Sequence, residues 1–144
     1  MHTPQRGFTL IEMMVATAIA GVLAATAYPS FQAPVYKARR TDGITALMQL
    51  QMTQERWRSG HSSYAELTEL SASANSSMRY YTLNVTEASE SSFSATATGT
   101  GAQAGDNACK VLRLTVSGGD TRYASGSDET TANSSADNRR CWGV

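Results

Sequence analysis

From position 8 to position 31 the chain reads FTLIEMMVATAIAGVLAATAYPSF, an apolar run broken by a single charge, Glu12. Its 24 residues would rise about 36 Å as a helix, enough to cross a hydrocarbon core about 30 Å thick. An ionised carboxylate in such a segment costs about 2.5 to 3.5 kcal/mol at the bilayer centre and less near the edge, so Glu12 asks for a partner. Two residues weaken the helix from within. Gly21 costs about 1 kcal/mol relative to alanine, and Pro29 removes a backbone donor and strains the preceding turn, with Pro34 close behind. Distortion at Gly21 and Pro29 is expected, although neighbouring helices in a membrane also tolerate such residues.

Beyond the run the periodicity persists in a more polar form. Between Lys37 and Arg58 the spacing of Ile44, Leu47 and Met48, with Leu50 and Trp57 on a neighbouring face, predicts an amphipathic helix continuing the first and stopping at Gly60. Such a stripe normally packs against a sheet. Tyr64, Leu67 and Leu70 supply apolar contacts from a short turn, and 71–77 reads as linker. The period then falls to two. Tyr81, Leu83 and Val85 share a face, as do Phe93, Ala95 and Ala97, and then Leu112, Leu114 and Val116. The turn Ser117-Gly118-Gly119-Asp120 leads to a short strand around Arg122 to Ala124. The economical architecture is α+β: a long N-terminal helical spine, its first half transmembrane, packed against a four-stranded antiparallel sheet.

Composition narrows the chemistry. Lys plus Arg and Asp plus Glu are both 12 in 144 residues, so no net field draws in a polyanion and any electrostatic role falls to local patches. Cys109 and Cys141 are an even count in a chain with an export-like start, which favours one disulfide in an oxidising compartment; two cytosolic thiols are the alternative. A bridge would enclose 31 residues and staple the polar tail SGSDETTANSSADNRR, which otherwise reads as disordered, at about 3 to 4 kcal/mol. With only His2 and His61 and no CxxC pair, no metal or cofactor is implied. Nor is an enzyme: His61 lies in a Gly/Ser-rich loop without a nucleophile, and Gly99-Thr100-Gly101 lacks the later residues of a phosphate loop. Arg139, Arg140 and Trp142 form a candidate ligand patch for phosphates and bases, against the plainer reading of a solvated loop with Trp142 at the core edge.

The N-terminus admits three readings. One is a secretory signal with Arg6 as basic flank and Ala25-Thr26-Ala27 as cleavage site, releasing a soluble domain. Another is a plain membrane anchor with Glu12 in the interface. The third ends a hydrophilic stretch at Gly7 and starts the helix at Phe8, with Glu12 in fifth place.

Read the third way, Gly7-Phe8-Thr9-Leu10-Ile11-Glu12 resembles the start of type IV pilins and their pseudopilin relatives, and Pro29 falls where type IVa pilins carry a helix-distorting proline. The resemblance implies that a prepilin peptidase cuts between Gly7 and Phe8 and methylates Phe8, leaving 137 residues. It implies the segments 1–7 as leader, 8–31 as transmembrane and filament-core helix, 32–60 as its amphipathic continuation, and 61–144 as sheet and C-terminal disulfide loop. The partners implied are the peptidase, the inner membrane and other pilin subunits, whose apolar helices meet in a filament where Glu12 neutralises a neighbour's Phe8 amine. Localisation would pass from inner membrane to extracellular pilus, with DNA or a host surface as ligands of the loop. Asp106 to Cys109 and the terminal Cys141-Trp142 are similar to a subgroup often found among minor pilins. The type II secretion pseudopilin is the closest rival. One count runs against this orientation: Lys37, Arg39 and Arg40 outnumber the basic residues of the leader, but long domains translocate largely regardless of charge.

Overall fold

The computed structural model describes residues 7–143, with backbone only at positions 26 and 28–30. The element order is α1 (Leu10–Arg58), β1 (Tyr81–Ala88), β2 (Ser92–Gly99), a 3-10 turn (Gly101–Gly105), β3 (Val111–Ser117), β4 (Asp120–Gly126), a single helical turn α2 (Ser135–Asp137) and a π-helical turn (Asn138–Trp142). The strands form one antiparallel sheet in the order β1-β2-β3-β4, the expected meander. The chain divides into two compact units, Met1–Val35 and Tyr36–Val144.

In the first unit α1 is helical throughout its described length, with Gly21 and Pro29 inside it. The side chains described in 10–35 are exposed, the large apolar ones included. Among the described residues no helix is long and apolar enough to cross a membrane. This differs from the spanning segment that the sequence suggests over 8–31.

The second unit is built around the alternation in its strands. Tyr81, Leu83 and Val85 of β1 are buried and their neighbours Thr82, Asn84 and Thr86 exposed, as a half-buried edge strand requires. Across the sheet the register brings Leu83 opposite Ala97, Ala97 opposite Leu112, and Leu112 opposite Ser125, so the apolar residues stack on one face. A register shift between Val85 and Glu87 interrupts β1. The β3–β4 connection is a two-residue Gly118-Gly119 turn with φ of 59° and 90°, both in the left-handed region that only glycine enters freely. Ala46, Leu47 and Leu50 of α1 complete the core against Phe93, Leu112 and Leu114.

The buried stripe of α1 includes the expected Leu47 and Leu50, with Ile44 half-buried beside them, and adds polar members. Arg40, Gly43, Leu47, Leu50 and Gln54 are buried at spacings of three and four, whereas Met48 is 41% exposed. Gly43 is there for proximity: a Cβ on it would stand 2.8 Å from the Tyr81 ring. Gln54 faces the backbone of Ala65, donating to its carbonyl at 2.7 Å and accepting from its amide at 3.0 Å, which fixes the loop after α1. The stretch 71–77 is likewise no free linker. Asn75 bridges to Thr82, and the Asp42 carboxylate accepts hydrogen bonds from the Ser76 hydroxyl and the Met78 amide.

Candidate functional site

Two places carry the residues singled out in the sequence, and each belongs to its own unit. At the start of α1, Thr9 and Glu12 form a reciprocal cap. The Thr9 amide and hydroxyl both donate to Glu12 Oε2 at 3.2 Å, and the Glu12 amide donates to Thr9 Oγ1 at 3.3 Å. Thr-x-x-Glu before an apolar run is a capping box, satisfying donors that a helix N-terminus leaves orphaned. That signal is legible in the sequence, where Glu12 attracts notice for its charge alone. Phe8 is 82% exposed beside it, as is Leu10, so the carboxylate sits at the head of an uncovered apolar face. Gly7, the other residue of the expected processing site, has open space around it.

The second place is the C-terminal loop. Cys109 and Cys141 are joined, with their Cα atoms 5.6 Å apart, and both are buried. Either side of Cys141 the chain is held. Trp142 is buried, donates from Nε1 to the Ala124 carbonyl at 3.1 Å, and packs its ring 4.7 Å from that of Tyr123. Its indole is thus a fixture of the core edge, and the exposed part of the candidate patch reduces to Arg139 and Arg140. Among the described residues neither of these arginines takes part in an ion pair. Ser134 caps the short turn before them by accepting from the Asp137 amide at 3.1 Å, and the Gly143 amide closes the π-helical turn on the Asn138 carbonyl at 2.9 Å. Among the described residues no cluster of His, Cys, Asp or Glu could hold a metal ion.

Beneath the loop lies a polar network that sequence reasoning missed. Arg40 of α1 grips Asp106 with both ends of its fork, Nε to Oδ2 at 2.6 Å and Nη2 to Oδ1 at 2.8 Å. Its third nitrogen, Nη1, donates to the Arg140 carbonyl at 2.9 Å. Gln103 Nε2 donates to Tyr81 Oη at 2.9 Å and to Asp106 Oδ2 at 3.2 Å. Burial pushes the Tyr81 hydroxyl up to about 12, against the opposing pull of its hydrogen bond to Gln103. The signal available in the sequence was the heptad-like run 40, 43, 47, 50, 54, in which Arg40 and Gln54 occupy core positions.

Comparison with known proteins bears on the N-terminal segment and on the chain as far as β3. Residues 29–113, more than half of the chain, match the family described as type IV minor pilin ComP, DNA uptake sequence receptor, and residues 3–28 match the prokaryotic N-terminal methylation motif. A type IV major pilin protein PilE1 of Neisseria gonorrhoeae is 48% identical over 44 residues, which is 31% of this chain and 27% of that protein. A fimbrial protein of Neisseria meningitidis serogroup B shares 48% over 44 residues, 31% of this chain and 26% of that one. The type IV major fimbrial protein FimA of Dichelobacter nodosus is 40% identical over 45 residues, 31% and 28% of the two chains. The chain thus spans about a quarter of the length of these curated relatives.

Proposed function

The chain belongs to the type IV minor pilin family, and from that premise we propose that it is a filament subunit, cut between Gly7 and Phe8, which polymerises through the first half of α1 and presents its C-terminal loop to DNA. The observation that carries the assembly reading is the uncovered apolar face over 10–35 with one carboxylate at its head. Contiguous apolar surface of that extent marks a surface meant for another chain or for lipid. Before assembly the partner is the inner membrane, which the segment 8–31 spans. In the filament the partner is the same segment of other subunits.

Packing of Leu10, Ile11, Met14, Val15, Ile19, Val22 and Leu23 is non-directional, so it cannot choose an axial register by itself. A charge pair can. Glu12 meets the methylated Phe8 amine of a neighbour, and a buried pair broken by removing one partner loses about 3 to 5 kcal/mol. Mass spectrometry of the N-terminus from the producing cell tests the reading directly. Methyl-Phe8 supports it, whereas Tyr28 or Met1 at the mature terminus would replace it with a secreted domain or a plain anchor. Glu12→Ala is expected to be processed normally and to be depleted from sheared filaments. Equal incorporation of variant and wild type would refute the register role.

The loop reading is favoured by a specific observation. The family's description names a DNA uptake sequence receptor, and Arg139 and Arg140 lie exposed on a turn held at both ends. Arginine forks suit phosphate oxygens, and contacts of this kind fade with salt because releasing counterions into a more concentrated solution gains less entropy. Binding of a duplex oligonucleotide that falls with salt and is lost in Arg139→Ala/Arg140→Ala would support the role. No retention at low salt would remove it and leave a subunit without this ligand.

A further inference from the structure

The last carbonyls of any helical turn lack partners within it, and the π-helical turn Asn138–Trp142 is no exception in kind. Its Arg140 carbonyl is met from below by Arg40 Nη1 at 2.9 Å. The guanidinium cannot drift to another acceptor, because its other two nitrogens hold both oxygens of Asp106. Asp106 is itself tied to the loop: its backbone carbonyl accepts from the Cys109 amide at 3.0 Å, and Cys109 is bonded to Cys141, the residue after Arg140. Arg40, Asp106, Cys109, Cys141 and Arg140 therefore close a ring in which every link is a covalent bond or a directional polar contact.

We propose that Arg40 is a positioning residue for ligand binding by Arg139 and Arg140. It is nine-tenths buried and does not itself reach a ligand. It fixes the peptide from which the exposed pair stands, so that two forks meet two phosphates without ordering the loop at the moment of binding. The inference rests on the reading of this loop as a DNA contact and deepens it.

The test uses the full chain in a nonionic detergent and a labelled duplex oligonucleotide titrated over a range of salt. Arg40→Lys keeps a positive charge beside Asp106, but a single ammonium cannot match the fork and the Arg140 carbonyl together. Arg40→Met/Asp106→Leu removes both charges at once, so no buried charge is stranded if the first variant folds poorly. Arg139→Ala/Arg140→Ala reports the exposed pair, and should lower the salt slope by about 1.8, at about 0.9 per phosphate. Hydrogen exchange is followed at the Asn138 and Gly143 amides, which close the turn in the native loop.

Both Arg40 variants are expected to keep the disulfide, to exchange faster at these amides, and to bind about tenfold more weakly with a reduced salt slope. A role confined to stability would lower the melting temperature and leave the slope at the wild-type value, which overturns the proposal. Wild-type exchange at Asn138 and Gly143 in both variants would overturn it too. Should the wild-type chain fail to hold the duplex at low salt, the DNA reading falls by itself. Exchange at the two amides then decides alone whether Arg40 positions the loop.

Discussion

One helix serves two regimes in this protein. Over 10–35, α1 exposes its large apolar side chains, with Ile11 at 70% and Val22 at 66%. Over 36–58 it is more polar in sequence, yet it buries a guanidinium and an amide along with Leu47 and Leu50. Hydrophobicity and burial within the single chain thus run in opposite directions along the same element. On the proposed reading the first half is greasy because its partners are other molecules, and non-directional contacts would let it suit a bilayer and then a filament. The second half has its partners in its own chain, and there the polar groups choose one arrangement among many that apolar packing alone would permit. Substitutions should therefore behave differently in the two regimes: costly and local in the second, silent in the isolated chain in the first.

The sharpest break would come from Arg40→Leu. It strands the Asp106 carboxylate in a buried position and should cost about 3 to 5 kcal/mol in urea unfolding, whereas Arg40→Leu/Asp106→Leu should recover most of that loss. If the single variant unfolds like wild type, the second half of α1 is no more demanding than the first. Next in size is the staple. Cys109→Ser/Cys141→Ser releases a loop of 31 residues and should cost about 3 to 4 kcal/mol by the same measurement.

A smaller effect tests the network through pH. Tyr81 is held neutral by burial, with its hydroxyl pushed up to about 12. Its contribution is fully present below the ordinary tyrosine value of about 10 and is lost as pH rises through the folded value, about 1.4 kcal/mol for each unit. Tyrosinate absorbance should show a late-titrating side chain that is absent in Tyr81→Phe. Gly43→Ala then probes packing, because the new Cβ meets the Tyr81 ring at 2.8 Å. Overpacking of this kind should cost about 1 to 3 kcal/mol and lower the melting temperature.

The sheet is legible because β1, β2 and β3 alternate over most of their length and the β3–β4 connection carries ordinary turn residues. Leu83, Ala95 and Leu114 could be placed on one face from spacing alone, and the Gly118-Gly119 turn located itself. The helix stripe is legible in part: Leu47 and Leu50 are buried and Ile44 packs against the core. Met48 is apolar yet exposed, while Arg40 and Gln54, which hold core positions, look like surface residues until their partners are known. Those partners are far away in sequence: Asp106 is 66 residues from Arg40 and the Arg140 carbonyl 100. Periodicity carries no information about such pairings. In the sequence Asp106 stands out only as the head of a D-x-x-C segment, whereas its physical task is to receive Arg40. For Trp142 the sequence leaves two readings open, a stacking surface beside two arginines or a place at the core edge, and the Ala124 carbonyl that holds its N–H selects the second.

The smallest predicted effect separates the two regimes most cleanly. Thr9→Ala deletes the hydroxyl that accepts from the Glu12 amide and one of the two donors on Glu12 Oε2. Loss of such a cap costs about 1 kcal/mol, confined to the first turn of the helix. Amide exchange should quicken near Glu12 in the detergent-held monomer, and urea unfolding of the unit Tyr36–Val144 should be unchanged. Assembly gives the opposite sign for the two capping partners. If Glu12 pairs with a neighbour's amine as proposed, Thr9 competes for that carboxylate in the single chain, so Thr9→Ala should leave the yield of sheared filaments at or above wild type. Glu12→Gln keeps a side chain able to cap but carries no charge, and its yield should fall. Equal losses in both variants would mean that the cap itself, rather than the charge on Glu12, is what the filament requires.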